Sequence, residues 1–231
     1  MKITINTPNE EPRNVAISKA LQEHWSQPIN HSQTILNQIN SGMYDHFFAG
    51  KKDLVCADFG ANVGLVSLYM LPACKELICV EPTPKHYEMC FELIQANKHD
   101  KQIVVYSKHA LGANEGEVYF CTGHSTENKI TSEEGYGNGK IKVLTKPLSW
   151  FLTAPMYDFV KVDIEGGEML AITEPELTKV HSKVKQLFIE VHPAYNGSME
   201  SNVEELTKRL KNTGYSVEYL DYQTILATSG N

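Results

Sequence analysis

Apolar positions along this chain fall in short runs, cut by polar, glycine and proline residues, and their period switches between the two forms that define strands and helices. Leu54-Val55-Cys56-Ala57 is a continuous apolar run that ends at Asp58, which predicts a strand over 54–58. Val63 to Leu71 then carries a helical period stopped by Pro72, and a second strand over 76–81 ends at Glu81. Thr83-Pro84 starts a helix, with threonine as N-cap and proline at the first position; Tyr87, Cys90, Phe91 and Ile94 share one of its faces. Further strands are predicted over 102–107, 158–163 and 186–191, a helix over 200–212, and two closing strands over 216–220 and 224–227. Glu117 to Cys121 and Ile141 to Thr145 read as an inserted pair of strands, with a long polar loop over 122–140 between them. Asn14 to Trp25 and Ser32 to Phe48 look helical, with a break near Pro28. These elements predict a helical extension over 1–50, serving as lid or packing, and a main domain over 51–231. Alternating strands and helices in the main domain predict an α/β fold, a mainly parallel sheet covered on both faces.

Composition narrows this picture. The length of 231 residues is enough for one domain with a sizeable core plus a small appendage. No apolar run reaches the roughly 20 residues of a membrane span, and the first residues lack the apolar core of a secretion signal. The five cysteines include no C-x-x-C pair, and Cys56, Cys79 and Cys90 sit in apolar patterns as buried thiols. That usage fits a reducing cytoplasm rather than a disulfide or zinc scaffold. A net charge of -7, with only short basic clusters such as Lys51-Lys52, disfavours general nucleic-acid binding.

The chemistry starts at the first strand–turn–helix unit. Asp58-Phe59-Gly60-Ala61-Asn62-Val63-Gly64 supplies glycines where a backbone must turn tightly and let a ligand approach. Glu81 ends the next strand about 20 residues on, the spacing at which an acid accepts hydrogen bonds from a ribose diol. A dinucleotide site wants G-x-G-x-x-G with a pyrophosphate on the helix N-terminus, but here Asn62 holds the middle glycine position and an acid precedes the turn. S-adenosylmethionine (SAM) has no phosphate, and its cationic sulfonium and amino group suit Asp58. The bland alternative is a strand–turn–helix with an acidic cap.

A second concentration of charge follows. In the strand over 158–163, Lys161, Asp163 and Glu165 fall on one side if the pleat persists, and Glu190 and His192 share a face of the next strand. Charges on central strands are expensive unless paired or used. If the two strands are neighbours, their acidic ends meet where open α/β sheets bind ligands. Lys161 and Glu190 can equally form a buried ion pair, Glu165 or Glu168 can complement the helix starting near Gly167, and His192 can be a hydrogen-bonded core histidine.

These motifs resemble those of FkbM-type SAM-dependent methyltransferases, over roughly Tyr44 to His192. Asp58 to Gly64 is similar to the family's D-x-G-A-N-x-G, Glu81-Pro82-Thr83-Pro84 to its E-P-x-P, and Ala110-Leu111-Gly112 with Gly116-Glu117-Val118 to its segment after the third strand. Lys161 to Glu168 resembles K-x-D-x-E-G-x-E, and Glu190 to Pro193 the E-x-H element; these two are the more specific, whereas the first motif is shared across many methyltransferases. Thr145 to Trp150 lacks the acids of the T-L-D-D-like start that the family usually carries before its fourth strand. The resemblance implies a class I (Rossmann-like) fold, seven-stranded, with an antiparallel final strand, and methyl transfer to a hydroxyl of a sugar, glycan or polyketide-like molecule. Asp58, Gly60, Ala61, Asn62, Gly64, Glu81, Pro82, Ser107, Ala110 and Asp163 are then expected around SAM, with S-adenosylhomocysteine as product, and His192 or Asp163 as general base with Glu165 orienting the acceptor. No metal is assigned. A variant has Asp163, Glu165, Glu190 and His192 binding Mg²⁺ or Mn²⁺, and a second alternative is a SAM-binding module without catalysis. No membrane partner is expected, and oligomerisation stays open.

Overall fold

The structure is a computed structural model and describes residues 2–7, 10–17, 19–25, 32–121, 129–131, 140–193 and 198–230. The chain forms two compact units, one running through residue 107 and the other from residue 108 onward.

The first unit opens with an antiparallel hairpin, β1 (Lys2–Thr7) and β2 (Glu10–Ala16), followed by α1 (Lys19–Trp25), α2 (Ser32–Asn40) and α3 (Asp45–Phe48). The expected helix over 14–25 therefore begins only at Lys19. The reason is legible in Lys2-Ile3-Thr4-Ile5-Asn6-Thr7, a period-2 alternation that pairs with β2 and buries Ile5 and Val15. The helix expected over 32–48 is interrupted at Ser41–Tyr44, where Gly42 takes a left-handed φ of 83°. The break expected near Pro28 lies outside the described residues.

β3 (Leu54–Phe59), α4 (Leu65–Met70), a short 3-10 turn at Leu71–Ala73, β4 (Cys74–Val80), α5 (Pro84–Gln95) and β5 (Ile103–Ser107) follow. β4 pairs in parallel with both β3 and β5, setting Asp58 beside Cys79 and Val80 beside Ser107. β3 is buried along nearly its whole length, as a strand covered on both faces requires. Tyr44, Phe47 and Phe48 are core residues. Tyr44 and Phe48 meet the ring of Tyr69 on α4, and the Tyr69 hydroxyl donates to Asp45 at 2.6 Å. On α5, Thr83 holds the N-cap position without a side-chain cap bond, and the buried stripe is His86, Met89, Cys90, Leu93 and Ile94. The expected stripe is thus shifted by one residue. Tyr87 and Phe91 flank it and pack on Tyr106 instead.

The second unit begins with a small sheet of β6 (Ala110–Leu111), β7 (Gly116–Cys121), β8 (Lys129–Thr131) and β9 (Lys140–Lys146), ordered β6-β9-β7-β8 around Ala110, Phe120 and Val143. The two inserted strands expected from sequence are β7 and β9, paired antiparallel. Apart from β8 and Lys140, the 122–140 run lies outside the described residues. α6 (Leu148–Phe151), β10 (Phe159–Val162), α7 (Glu168–Ala171), α8 (Glu174–Val180), β11 (Gln186–Glu190), α9 (Met199–Asn212), β12 (Ser216–Tyr219) and β13 (Thr224–Thr228) complete the chain. β10 and β11 are parallel neighbours, with Val160 opposite Leu187 and Val162 opposite Ile189. β13 runs antiparallel to β11 and to β12. The main sheet has seven strands, β3 to β5 and β10 to β13, with β13 as the reversed strand. This is the class I α/β fold. Among the described residues no helix is long and apolar enough to cross a membrane.

Candidate active site

In the first unit the chain leaves β3 through a turn built on left-handed residues: Gly60 at φ 80°, Asn62 at 51° and Gly64 at 91°. The N–H groups of Gly60 and Ala61 both donate to the Val80 carbonyl, at 2.9 and 3.0 Å, which stitches the turn to the end of β4. Gly64 is required twice over. Its φ disfavours a side chain, and a Cβ there would stand 3.1 Å from the Cys90 Cα of α5.

Glu81 is buried at the same strand end. One carboxylate oxygen accepts from the Asn62 N–H at 2.9 Å and the other from the Thr83 N–H at 2.8 Å. Its own N–H donates to the Ser107 carbonyl at 3.0 Å, so Ser107 enters this corner through its backbone. Burial pushes the Glu81 carboxyl up to about 7, against the opposing pull of the bonds from Thr83 and Asn62, and nearby Asp58 adds to the rise. The Asn62 Oδ1 is buried with no hydrogen-bond partner among the described residues. An orphaned acceptor and a carboxylate held by backbone donors fit a ligand that brings hydroxyl and ammonium donors, as SAM does.

Asp58 turns out to be wholly buried, and its carboxylate accepts from the Ser67 hydroxyl of α4 at 2.6 Å. Cys79 donates to the same hydroxyl at 3.4 Å. Asp58 thus fixes α4 beneath the turn. Pro82 is half-buried beside Glu81. Ala110 belongs to the second unit, packed with Phe120 and Val143.

In the second unit the charges converge by a route other than the pleat. β10 ends at Val162, and the chain then turns through left-handed Glu165 at φ 55° and Gly166 at 99°. That turn returns the Glu165 carboxylate to within 3.7 Å of His192 Nε2. Asp163 lies at 3.8 Å and Glu190 at 4.0 Å from the same nitrogen. The other ring nitrogen, Nδ1, meets buried Glu168 at 3.1 Å, and the His192 carbonyl accepts from Asn202 Nδ2 at 2.9 Å. Buried Lys161 pairs with Asp163 at 2.8 Å, and its charge also acts on Glu190, which accepts from Gln223 at 2.7 Å. Burial, then the Asp163 charge, raises the Glu190 carboxyl, with Lys161 and His192 opposing. Burial alone would lower His192, but the Glu168 bond and the charges of Glu168, Asp163 and Glu165 override it and push the ring up to about 9. His192 is therefore an imidazolium at neutral pH. Asp163, Glu165 and His192 each offer one ligand atom within 4.8 Å of the others, a set that could also hold a divalent cation.

Sequence reasoning placed Asp163, Glu165, Glu190 and His192 together correctly. Glu168 enters the sequence reading as the last acid of the K-x-D-x-E-G-x-E motif and as one candidate helix complement, with no role toward His192; the structure sets it against Nδ1 of that ring. Ser67 was legible as a polar residue inside the apolar Leu65-Val66-Ser67-Leu68 run. Asn202, on a helix far along the chain, carried no local signal.

The seven-stranded sheet with its one reversed strand is the fold of class I methyltransferases. A model described as the methyltransferase FkbM domain matches residues 58–217, and the chain belongs to that family. Among solved structures, it is similar to methyltransferase FkbM from Methylobacillus flagellatus KT, with 15% identity over 76% of this chain and a TM-score of 0.52. The chain spans 43% of the length of that protein. It is also similar to magnesium protoporphyrin IX methyltransferase from Synechocystis PCC 6803 with bound SAM, with 13% identity, 87% and 80% of the two chains covered, and a TM-score of 0.47. A third is precorrin-6y C5,15-methyltransferase from Geobacter metallireducens GS-15, with 14% identity, 80% and 85% covered, and a TM-score of 0.46. No curated protein matches the sequence.

Proposed function

We propose that the protein is a cytoplasmic O-methyltransferase acting on a hydroxyl of a small molecule, of the sugar, glycan or polyketide-like kind. The first unit holds SAM: Glu81 takes the ribose hydroxyls, and Asn62 Oδ1 with the backbone of Gly60, Ala61 and Gly64 takes the amino-acid end. Pro82 and Ser107 border the ribose and adenine, and Asp58 braces the turn. Residues 1–50 act as packing for this unit, in keeping with the buried Ile5, Val15 and Phe48. When bound, SAM supplies an activated methyl group, and its sulfonium leaves as the thioether S-adenosylhomocysteine.

The observation that carries the reading is the orientation of His192. Its Nδ1 is engaged by Glu168 while Nε2 faces Asp163, Glu165 and Glu190, the nearest of them at 3.7 Å. An alcohol held at Nε2 would give its proton to the neutral ring, which would leave its oxygen as the nucleophile toward the methyl group that SAM supplies. Glu165 orients the acceptor, and Asp163, tied to Lys161, stabilises the imidazolium that forms. Only the neutral ring accepts the proton, so turnover rises with pH toward about 9 and levels above it.

The first experiment is calorimetric titration with SAM, S-adenosylhomocysteine and NAD, followed by a hydroxyl-acceptor screen read as S-adenosylhomocysteine release. Binding of the two adenosyl compounds alone, with release on an acceptor, is the expected result. Tight SAM binding with no release on any acceptor favours a non-catalytic SAM-binding module, and binding of NAD alone overturns the reading. The three-ligand geometry favours one variant, a metal-assisted transfer. Lys161 already supplies positive charge beside Asp163, so we expect full activity in EDTA; its loss and recovery with Mg²⁺ would establish the variant.

A further inference from the structure

Glu168 opens the short helix α7 and has no exposed surface. One of its carboxylate oxygens accepts from the Ile164 N–H at 3.0 Å and the Gly166 N–H at 3.2 Å, and the other accepts from Gly166 at 3.1 Å. The oxygen that takes Ile164 also meets His192 Nδ1 at 3.1 Å. A single side chain therefore grips the turn that follows β10 and the ring that follows β11.

Both grips act on groups named above. The turn is the left-handed one, and the two N–H groups flank Glu165, so holding them fixes the direction in which the Glu165 carboxylate points. On the ring, an oxygen already surrounded by backbone donors is met by a nitrogen that presents its proton. That places the ring hydrogen on Nδ1 and leaves Nε2 as the atom that gains or loses the second proton. We propose that Glu168 is a positioning residue for methyl transfer, fixing the His192 tautomer and the Glu165 turn together so that Nε2 faces the acceptor. This rests on the reading of His192 as base. The charged groups around the ring are Asp163 and Glu165 after β10, Glu168 on α7, Glu190 on β11, and Lys161 through Asp163.

An anchor that served the turn alone would leave the ring unchanged when its charge was removed, which makes ring-nitrogen NMR the decisive measurement. His192 is assigned in histidine-labelled protein as the signal lost in His192→Gln. In the unaltered protein we expect the neutral ring to carry its hydrogen on Nδ1, with a titration midpoint near 9. In Glu168→Gln, which keeps an acceptor for the turn, the midpoint falls by about one pH unit or more, and both neutral tautomers appear. The pH at which turnover levels falls with it. A midpoint within about 0.3 units of the unaltered protein, with a single tautomer, overturns the proposal. If Glu168→Gln does not fold, the unaltered protein decides: a neutral ring protonated on Nε2 overturns the assignment, and one protonated on Nδ1 supports it. Unchanged turnover in His192→Ala would remove the base reading itself, whereas an unchanged ring in Glu168→Gln removes this one alone.

Discussion

The glycine turn of the first unit and the His192 cluster of the second both place acids at strand ends, but they hold them differently. Glu81 and Asp58 are held by neutral donors, two backbone N–H groups and a hydroxyl. The acids around His192 are held largely by charge, Asp163 by Lys161 and Glu168 in part by the imidazole. Neutral donors only partly offset desolvation, so Glu81 rises to about 7. Charge does more than offset it, so His192 rises to about 9 although burial opposes this. The first arrangement suits binding of a ligand that brings its own donors. The second suits moving a proton, because its members answer to one another's charge.

The sharpest way to break this contrast is to remove the ring. His192→Ala should leave SAM affinity within about twofold and lower turnover by about 10²–10⁴-fold. Calorimetry with SAM and S-adenosylhomocysteine release measure the two halves separately. A large loss of SAM affinity would show that the two tasks are not divided as argued.

Paired glycine substitutions come next. Gly64 and Gly166 have similar left-handed φ values, 91° and 99°, but a Cβ at Gly64 meets the α5 backbone at 3.1 Å, whereas at Gly166 the nearest atom is the Pro193 carbonyl at 3.5 Å. Gly64→Ala carries both backbone strain and overpacking and should cost about 3–4 kcal/mol by urea unfolding. Gly166→Ala carries strain alone, about 1–2 kcal/mol, yet should impair turnover more than SAM binding, because it displaces Glu165. Equal destabilisation by the two would mean that crowding at Gly64 is relieved by movement of α5.

Glu81 gives a pH test of about the same size. Its carboxyl is raised in the folded protein from 4.5 to about 7. The stability linked to its protonation is therefore fully present below 4.5 and is lost as pH rises through 7. Relative to Glu81→Gln, the unaltered protein should lose about 3 kcal/mol between pH 4 and pH 8. With Glu81 taking the ribose hydroxyls as proposed, SAM needs the ionised form, and its affinity should weaken by up to about tenfold per pH unit below 7. A stability difference between the two proteins that does not change with pH would show that Glu81 stays ionised on folding.

Much of both regions could be read before the structure, though for unequal reasons. The glycine turn is contiguous, and its spacing to Glu81 follows from one strand–turn–helix–strand repeat, so local pattern was enough. What local pattern could not give was direction: Asp58 points under α4 because Ser67, nine residues on, offers it a buried hydroxyl. In the second region the alternation argument found the right residues through a pleat that stops at Val162. Glu165 reaches His192 through a left-handed turn that no strand pattern encodes. The hairpin β1–β2 has a faint sequence signal, because Lys2 to Thr7 alternates over only two apolar positions and becomes a strand through its pairing with β2. The shifted face of α5 shows another limit. Two stripes one residue apart are nearly equivalent by period, and what decides between them is a packing partner, Tyr106, on another element.

Asn202 supplies the smallest and most discriminating prediction. It lies on α9, is nearly buried, and donates to the backbone carbonyl of His192 at 2.9 Å. Its bond sets where the residue sits, while Glu168 sets how the ring is turned and protonated. Asn202→Ala removes one neutral hydrogen bond and leaves one acceptor unsatisfied, so it should cost about 1–2 kcal/mol of stability. Because the Glu168 contact survives, the His192 titration midpoint should stay close to that of the unaltered protein, and turnover should fall only a fewfold at every pH. If instead the midpoint moved as far in Asn202→Ala as in Glu168→Gln, the backbone position of residue 192 would control its protonation, and the charge-held character assigned to the second region would belong to α9 as much as to the acids.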